Sequence, residues 1–314
     1  MALRHAPQDG AGESPAAELP RGTAMADLHT HTRRSDGVLE PVELVRQAAA
    51  AGVRLLAIAD HDNLAAYREL TAPGAAPLPP GLSLVPAVEI NAVTKGLDLE
   101  LLERELHVLG IGVDPDDEAF EAAIAAQRGA RRARFTKTVD RLQDIGLPVE
   151  AHLDPSIMES DDALGRPTLA RALVAGGFAE SVEDAFRRIL GHGMPGYVPR
   201  TGMGPLEAIR AIRAAGGLAS IAHLAEAPTR RQLLLDLMDA GLDGLETHHA
   251  SFDEETRRAM SATAVELGLV ETGGTDYHGD LGPYAGSHAR LVMPEDVVAR
   301  ASDALRTRGW PARP

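Results

Sequence analysis

The feature that most restricts this chain is a repeated alternation of amphipathic helix and short, wholly apolar run. Residues 41–52 carry Pro at the start, Val42, Leu44, Val45 and Ala48 as a buried stripe, and Gly at the end, which predicts a helix. Arg54-Leu55-Leu56-Ala57-Ile58-Ala59 follows at once, the pattern of a strand covered on both faces. The same grammar returns later. A helix ending at Gly216-Gly217 precedes Leu218–Ala222, one ending at Gly241 precedes Asp243–Thr247, and one over 254–267 precedes Leu269–Thr272. Ala26–His29, Leu84–Ile90 and Leu106–Ile111 complete about seven strand candidates, and a last helix covers roughly 294–308. Helix followed by buried strand is the mark of parallel β/α proteins, so the expected fold is α/β, a distorted (β/α)7-type barrel.

Residues 116–199 interrupt this rhythm. The Ala- and Arg-rich stretch 116–145 is helical in period, and the rest reads as loops and short helices with little strand signal. The expected division is a barrel over 25–115 and 200–314 with a small, mainly helical insertion domain at 116–199. Residues 1–24, rich in Ala, Gly, Pro and Glu, read as a disordered extension. The chain has no cysteine, which excludes disulfides, zinc–thiolate sites and cysteine nucleophiles and fits a reducing, cytoplasmic compartment. Its net charge of −15 offers no general basic field. No long nucleic-acid track is therefore expected, and an anionic substrate must be met locally, by metals and a few arginines. No apolar run reaches about 18 residues and the N-terminus lacks a signal-peptide core, so no membrane association is expected.

Against that background, His, Asp and Glu gather at strand ends. In His29-Thr30-His31, alternate residues point the same way, so both imidazoles can face one cavity. With 12 histidines in 314 residues, one such pair is expected by chance roughly half the time, so it decides nothing alone. Ser35-Asp36-Gly37 is a turn that can aim Asp36 at the same cavity. Asp60-His61-Asp62 sits directly after the run 54–59, where three ionisable groups are costly unless they meet a metal or each other. Glu89 ends the strand 84–88, His107 lies inside an apolar strand, and His223 follows Leu218–Ala222. Asp276-Tyr277-His278 follows Leu269–Thr272 and Gly273-Gly274. Six strands thus carry such residues at or near their C-terminal ends, where β/α barrels build active sites. The candidate metal ligands are His29, His31, Asp36, His61, Glu89, His107, His223, Asp276 and His278. Nine N/O donors are too many for one ion. They suit two or three divalent cations, and without thiolates the candidates are Mn, Fe or Zn.

In order, Asp27-Leu28-His29-Thr30-His31-Thr32, Ser35-Asp36-Gly37, Asp60-His61-Asp62, Val88-Glu89-Ile90, His107-Val108-Leu109-Gly110, Ala222-His223 and Gly274-Thr275-Asp276-Tyr277-His278 resemble the successive motifs of the PHP (polymerase and histidinol phosphatase) superfamily of metal-dependent phosphoesterases. The resemblance runs over most of the chain. Asp36, with the segments Gly165-Arg166-Pro167 and Gly196-Tyr197-Val198-Pro199, resembles the branch that dephosphorylates nucleoside 3′,5′-bisphosphates, some members of which trim short RNAs from the 5′ end. The resemblance implies that His29, His31, Glu89 and Asp276 hold one metal. It implies that Glu89 bridges to a second, held with His107 and His223, and that Asp36, His61 and His278 hold a third. Manganese is the first candidate, and Asp36, His61, Glu89, His223 and Asp276 are the candidate catalytic residues. Asp60 and Asp62 are read as orienting His61. The chain departs from the branch at Thr168, where a histidine often follows Gly-Arg-Pro, and at Leu224, where a proline often follows Ala-His.

The expected reaction is hydrolysis of a phosphoric ester. A water shared by two cations is deprotonated near neutral pH and attacks in line, while the cations neutralise the phosphoryl oxygens. A second phosphate needs its own positive charge. Arg166 is the first candidate because guanidinium binds phosphate bidentately, Arg200 is the next, and Tyr197 can stack on a base. His248-His249, after Asp243–Thr247, also faces the active end. The nearest alternatives are histidinol phosphatase and other hydrolases of small phosphomonoesters or cyclic phosphodiesters. An amidohydrolase often needs a strand-end lysine, and the only lysines are Lys95 and Lys137. A non-catalytic metal-binding module would leave the ligand set idle.

Overall fold

The computed structural model describes residues 25–94, 106–155, 165–279 and 282–310. The extension expected at residues 1–24 lies outside them. Seven strands form one sheet in sequence order: β1 (Ala26–Asp27), β2 (Leu55–Ile58), β3 (Ser83–Ala92), β4 (Leu106–Ile111), β5 (Leu218–Ile221), β6 (Gly244–His249) and β7 (Val270–Gly274). Backbone bonds from Leu28 to Gly273, from Asp276 to His29 and from His31 to Tyr277 nearly close it into a barrel.

The sheet of this distorted barrel is mixed. β1 to β3 and β5 to β7 run parallel, but β4 is antiparallel to both β3 and β5. The sequence reading placed no helix between 84–90 and 106–111, and a strand that returns without a crossover pairs antiparallel.

The helices are α1 (Pro41–Ala51), α2 (Ala65–Thr71), α3 (Glu118–Asp144), α4 (Arg166–Ala175), α5 (Val182–Ala185), α6 (Pro205–Ala214), α7 (Arg231–Asp239), α8 (Glu254–Leu267), α9 (Tyr284–His288) and α10 (Glu295–Thr307). α1 follows its sequence signals. Pro41 opens it, Leu44, Val45 and Ala48 are buried, and Gly52 ends it in the left-handed region at φ 102°, but Val42, expected in the buried stripe, is exposed. Around the barrel, Ile209 and Ile212 of α6 and Leu234 and Leu237 of α7 share a core with Val88, Val108 and Ile221 of the strands.

The reversal of β4 sets the path of the chain. β4 ends at the far end of the barrel, where Asp114 N–H bonds to Ala215 O. α3, 27 residues and about 40 Å long, climbs back past the end where β3 finishes. There Gln127 donates to Asn91 O at 3.0 Å and accepts from Met203 N–H at 2.9 Å. Gly202, at φ 140°, has no room for a side chain, because a Cβ would lie 2.3 Å from Gln127 Oε1. Between those two contacts, Phe135 and Leu142 of α3, Leu169 and Leu173 of α4, and Leu190 form a hydrophobic cluster of their own. α6 then descends to β5. Among the described residues, no helix is long and apolar enough to cross a membrane.

Candidate active site

The nine candidate ligands converge at one end of the barrel. His29 and His31 leave β1, His61 follows β2, Glu89 is in β3, His223 follows β5, and Asp276 and His278 follow β7. His107 is near the start of β4 rather than its end, and it reaches the same mouth because that strand runs the other way.

Three groups of side chains can each hold a metal ion: His29, His31, Glu89 and Asp276; Glu89, His107 and His223; and His31, Asp36, His61 and His278. In the first, His29 Nε2 and His31 Nε2 are 3.1 Å apart. They lie 3.3 and 3.2 Å from Asp276 Oδ1 and 3.5 and 3.3 Å from Glu89 Oε2. In the second, Glu89 Oε1 is 2.7 Å from His107 Nδ1 and 3.3 Å from His223 Nε2. In the third, Asp36 Oδ1 is 3.2 Å from His278 Nε2, and Asp36 Oδ2 is 3.5 Å from His61 Nε2. Four ligands about 2.05 Å from a tetrahedral cation sit about 3.3 Å from one another, so these spacings fit shared cations. The buried Oδ1 atoms of Asp36 and Asp276 have no hydrogen-bond partner, an expense that a cation would remove.

Tautomers agree with that use. His29 Nδ1–H faces Glu246 Oε1 at 3.1 Å, leaving the Nε2 lone pair for the cluster. His278 Nδ1–H faces Asp276 O at 3.0 Å, which leaves the Nε2 lone pair free to share a cation with Asp36. The electrostatics are those of charges concentrated out of water. Burial opposes ionisation of Asp36, but His61, His278 and His31 hold its carboxyl well below the usual range. Burial likewise opposes ionisation of Glu89 and Asp276, and their imidazole neighbours again prevail. Burial works against charge on His278, yet Asp36 and Asp276 push its pKa up to about 10. Against the same burial, Asp276, Glu246 and Glu89 hold His29 well above its ordinary value. His61 goes the other way, pushed down by burial.

Among the described residues, the non-glycine positions with positive φ are Asp62 (52°), His223 (33°) and Asp276 (50°). Each costs about 1–3 kcal/mol and persists because the surroundings dictate it. Asp60, fully buried, dictates the loop that carries His31 and Asp36. It accepts from Thr32 N–H at 2.7 Å, Thr32 Oγ1 at 2.6 Å and Ser35 Oγ at 2.6 Å.

Beside the ligands lies a cleft of about 190 Å³ lined by Asn91, Arg131, Gly165, Arg166, Phe186 and Arg200. Arg131 is buried, and Asp62 Oδ2 holds its Nε at 3.0 Å and its Nη2 at 2.9 Å. A smaller hollow joins Arg131, Arg166 and Arg200 to Arg134. Arg166 lies 5.6 Å over the Phe186 ring. Tyr197 does not line the cleft. It packs against His192, with Arg134 6.0 Å over its ring. A larger cleft, about 1130 Å³, lies at the opposite end of the barrel around Leu82, Gly112 and Trp310, far from these ligands.

Sequence reasoning missed Arg131 and Arg134, which it did not single out within the Ala- and Arg-rich stretch 116–145. Gln127, Arg131, Arg134 and Thr138 are buried at spacings of four, three and four, a polar stripe that could have been found. It also missed Glu246, which lies in the middle of β6 rather than at its end. A bulge between Glu246 and His248 shifts the register of β6. His249 then reaches Asp276 Oδ2 at 3.7 Å, whereas His248 turns to Val292 O at 2.9 Å.

The family model described as the PHP domain matches residues 27–136. A 5′-3′ exoribonuclease from Haemophilus influenzae is 33% identical over 264 residues, spanning 82% of this chain and 90% of that relative. The chain belongs to the PHP family. A 3′,5′-nucleoside bisphosphate phosphatase from Chromobacterium violaceum is 31% identical, over 81% of this chain and 87% of its own. A solved structure of a candidate metal-dependent phosphoesterase from Bifidobacterium adolescentis superposes with a TM-score of 0.70 at 29% identity, covering 93% of this chain and 99% of that one. This PHP protein is a metal-dependent phosphoesterase, a hydrolase of phosphoric esters.

Chelation is expected to destabilise it. A divalent ion at a thousand times its Kd adds about 4 kcal/mol to the folded state. EDTA is therefore expected to lower Tm by roughly 8 °C or more, and added divalent metal to restore it, in a thermal melt. An unchanged Tm would argue that these groups hold no ion.

Proposed function

We propose that this PHP enzyme removes the 3′-phosphate of nucleoside 3′,5′-bisphosphates and trims short 5′-phosphorylated RNA, using manganese in the cytoplasm. The observation that carries this reading is the set of arginines beside the candidate ligands. Arg131, Arg166 and Arg200 border the same cleft as Asp36, Glu89 and His278. A substrate with one phosphate needs no second anion site, whereas a bisphosphate or a 5′-phosphorylated oligonucleotide does.

Bound divalent cations would bring the pKa of a water toward about 7 and neutralise the phosphoryl oxygens. The chain's own residues supply the rest. His29, His31, Glu89 and Asp276 would hold one ion, and Glu89, His107 and His223 would hold a second. Asp36, His61 and His278 would hold a third. Arg166 and Arg200 grip the phosphate that is not cleaved and so fix which ester bond lies over the ligands. Arg131, tied to Asp62, gives that end of the cleft a positive charge that cannot swing away.

The test is phosphate release from manganese-loaded protein with 3′-phosphoadenosine 5′-phosphate, AMP, histidinol phosphate and a short 5′-phosphorylated RNA. Preference for the bisphosphate, with release of 5′-mononucleotides from the RNA, is expected. Preference for histidinol phosphate would move the enzyme to another branch. Arg166→Ala is expected to raise KM for the bisphosphate about 10–100-fold, the worth of one or two charge-assisted hydrogen bonds, and to leave KM for an aryl phosphate nearly unchanged. Equal changes for both substrates would remove Arg166 from this role.

A further inference from the structure

We infer that Glu246 is a positioning residue that locks two of the candidate metal positions into one geometry. The inference rests on the reading of His29, Glu89 and His223 as ligands. Glu246 lies in β6, fully buried on the inner side of the barrel. It touches no metal-facing atom. Its two oxygens are divided between two groups: Oε1 accepts from His29 Nδ1 at 3.1 Å, and Oε2 accepts from the backbone N–H of His223 at 2.7 Å. His29 belongs to the group with His31, Glu89 and Asp276, and His223 to the group with Glu89 and His107. In front, Glu89 reaches both groups with its own two oxygens. Behind, Glu246 does the same one shell further out.

Each contact has a separate job. The bond to His29 keeps the proton on Nδ1 and turns the Nε2 lone pair toward Glu89 and Asp276. The bond to His223 holds a backbone at φ 33°, a conformation that a non-glycine residue keeps only when something dictates it. The imidazole of His223 follows from that backbone, with Nε2 3.1 Å from His107 Nδ1. One rigid carboxylate therefore sets both the tautomer of one ligand and the main chain of another.

Glu246→Gln separates this role from simple packing. The amide matches the carboxylate in shape but has one acceptor and one donor. It can accept from His29 or from His223, and its NH2 then faces the remaining N–H. Calorimetric titration with Mn2+ alone is expected to show binding weakened about 10–100-fold, with one of the two positions lost first. KM for substrate on the loaded protein should be unchanged while kcat falls. Mn2+ affinity within twofold of the unaltered enzyme, at unchanged Tm, would overturn the inference. Should the variant not fold, 15N–1H correlation spectra of the histidines in the unaltered protein, with Zn2+ as a diamagnetic probe, decide the matter. His29 must carry its proton on Nδ1, and a proton on Nε2 would overturn it. Unaltered protein that takes up no divalent ion would sink the ligand reading itself, and this inference with it.

Discussion

Glu89→Gln is expected to reduce kcat about a thousandfold or more and to strip the protein of part of its metal, with the fold intact by circular dichroism. Glu89 faces five imidazoles. Oε1 is 2.7 Å from His107 and 3.3 Å from His223, and Oε2 is 3.0 Å from His61, 3.3 Å from His31 and 3.5 Å from His29. It is the one residue common to the first two ligand groups. An amide keeps its volume but removes its charge and turns an NH2 toward imidazole nitrogens, so cations can no longer be shared there. Charge stabilisation of about 4 kcal/mol in the transition state is lost, which is a factor of about a thousand in rate. Elemental analysis beside single-turnover kinetics checks this. A variant that keeps full metal content and a kcat within tenfold would show that Glu89 does not bridge.

Asp60→Ala is expected to cost about 3–6 kcal/mol of stability, although Asp60 is not among the candidate ligands. The carboxylate collects three buried donors from one loop: Thr32 N–H, Thr32 Oγ1 and Ser35 Oγ. Each donor left unpaired costs about 1–3 kcal/mol. Some of this returns as water enters, so a fall in Tm of roughly 10 °C is the expected reading in a thermal melt. The loop also carries Asp36, so the third ligand group should loosen more than the other two. Asp60→Asn, which can still accept from two donors, should fall between. A drop of less than about 1 kcal/mol would mean that the loop holds its shape without Asp60.

Much of this was legible from the sequence, for physical reasons that also mark where legibility stops. Ionisable residues directly after apolar runs are expensive, which is why His61, His223 and Asp276 stood out and why all nine predicted ligands meet at one mouth. The seven strands were legible because each is a short buried run. The direction of β4 was not, since composition carries no sign of direction and only the missing crossover hinted at it. The bulge in β6 was equally silent. Adjacent histidines look equivalent in a sequence, yet His249 faces Asp276 and His248 faces Val292. Glu246 escaped although it is one residue from the end of the expected strand Asp243–Thr247, because a lone glutamate there carries no sign of the partners that satisfy it. Arg131 escaped because an arginine in an Ala- and Arg-rich helix resembles surface, and only packing against Asp62 and Asn91 distinguishes it.

The reversed β4 has a consequence for how such an enzyme can change. One downward strand switches the parity of the chain, so the next long helix rises toward the mouth instead of descending from it. Everything from there to Met203 is an excursion that departs from and returns to the rim at Gln127. Among its described residues, none belongs to a strand of the sheet. Arg134, Arg166 and Arg200 lie on this excursion, whereas the nine converging side chains lie outside it. Exchange of this excursion therefore retunes what is admitted to the mouth, and it also reaches the cluster, because Arg171 of α4 donates to the backbone oxygen of Asp36 at 2.8 Å.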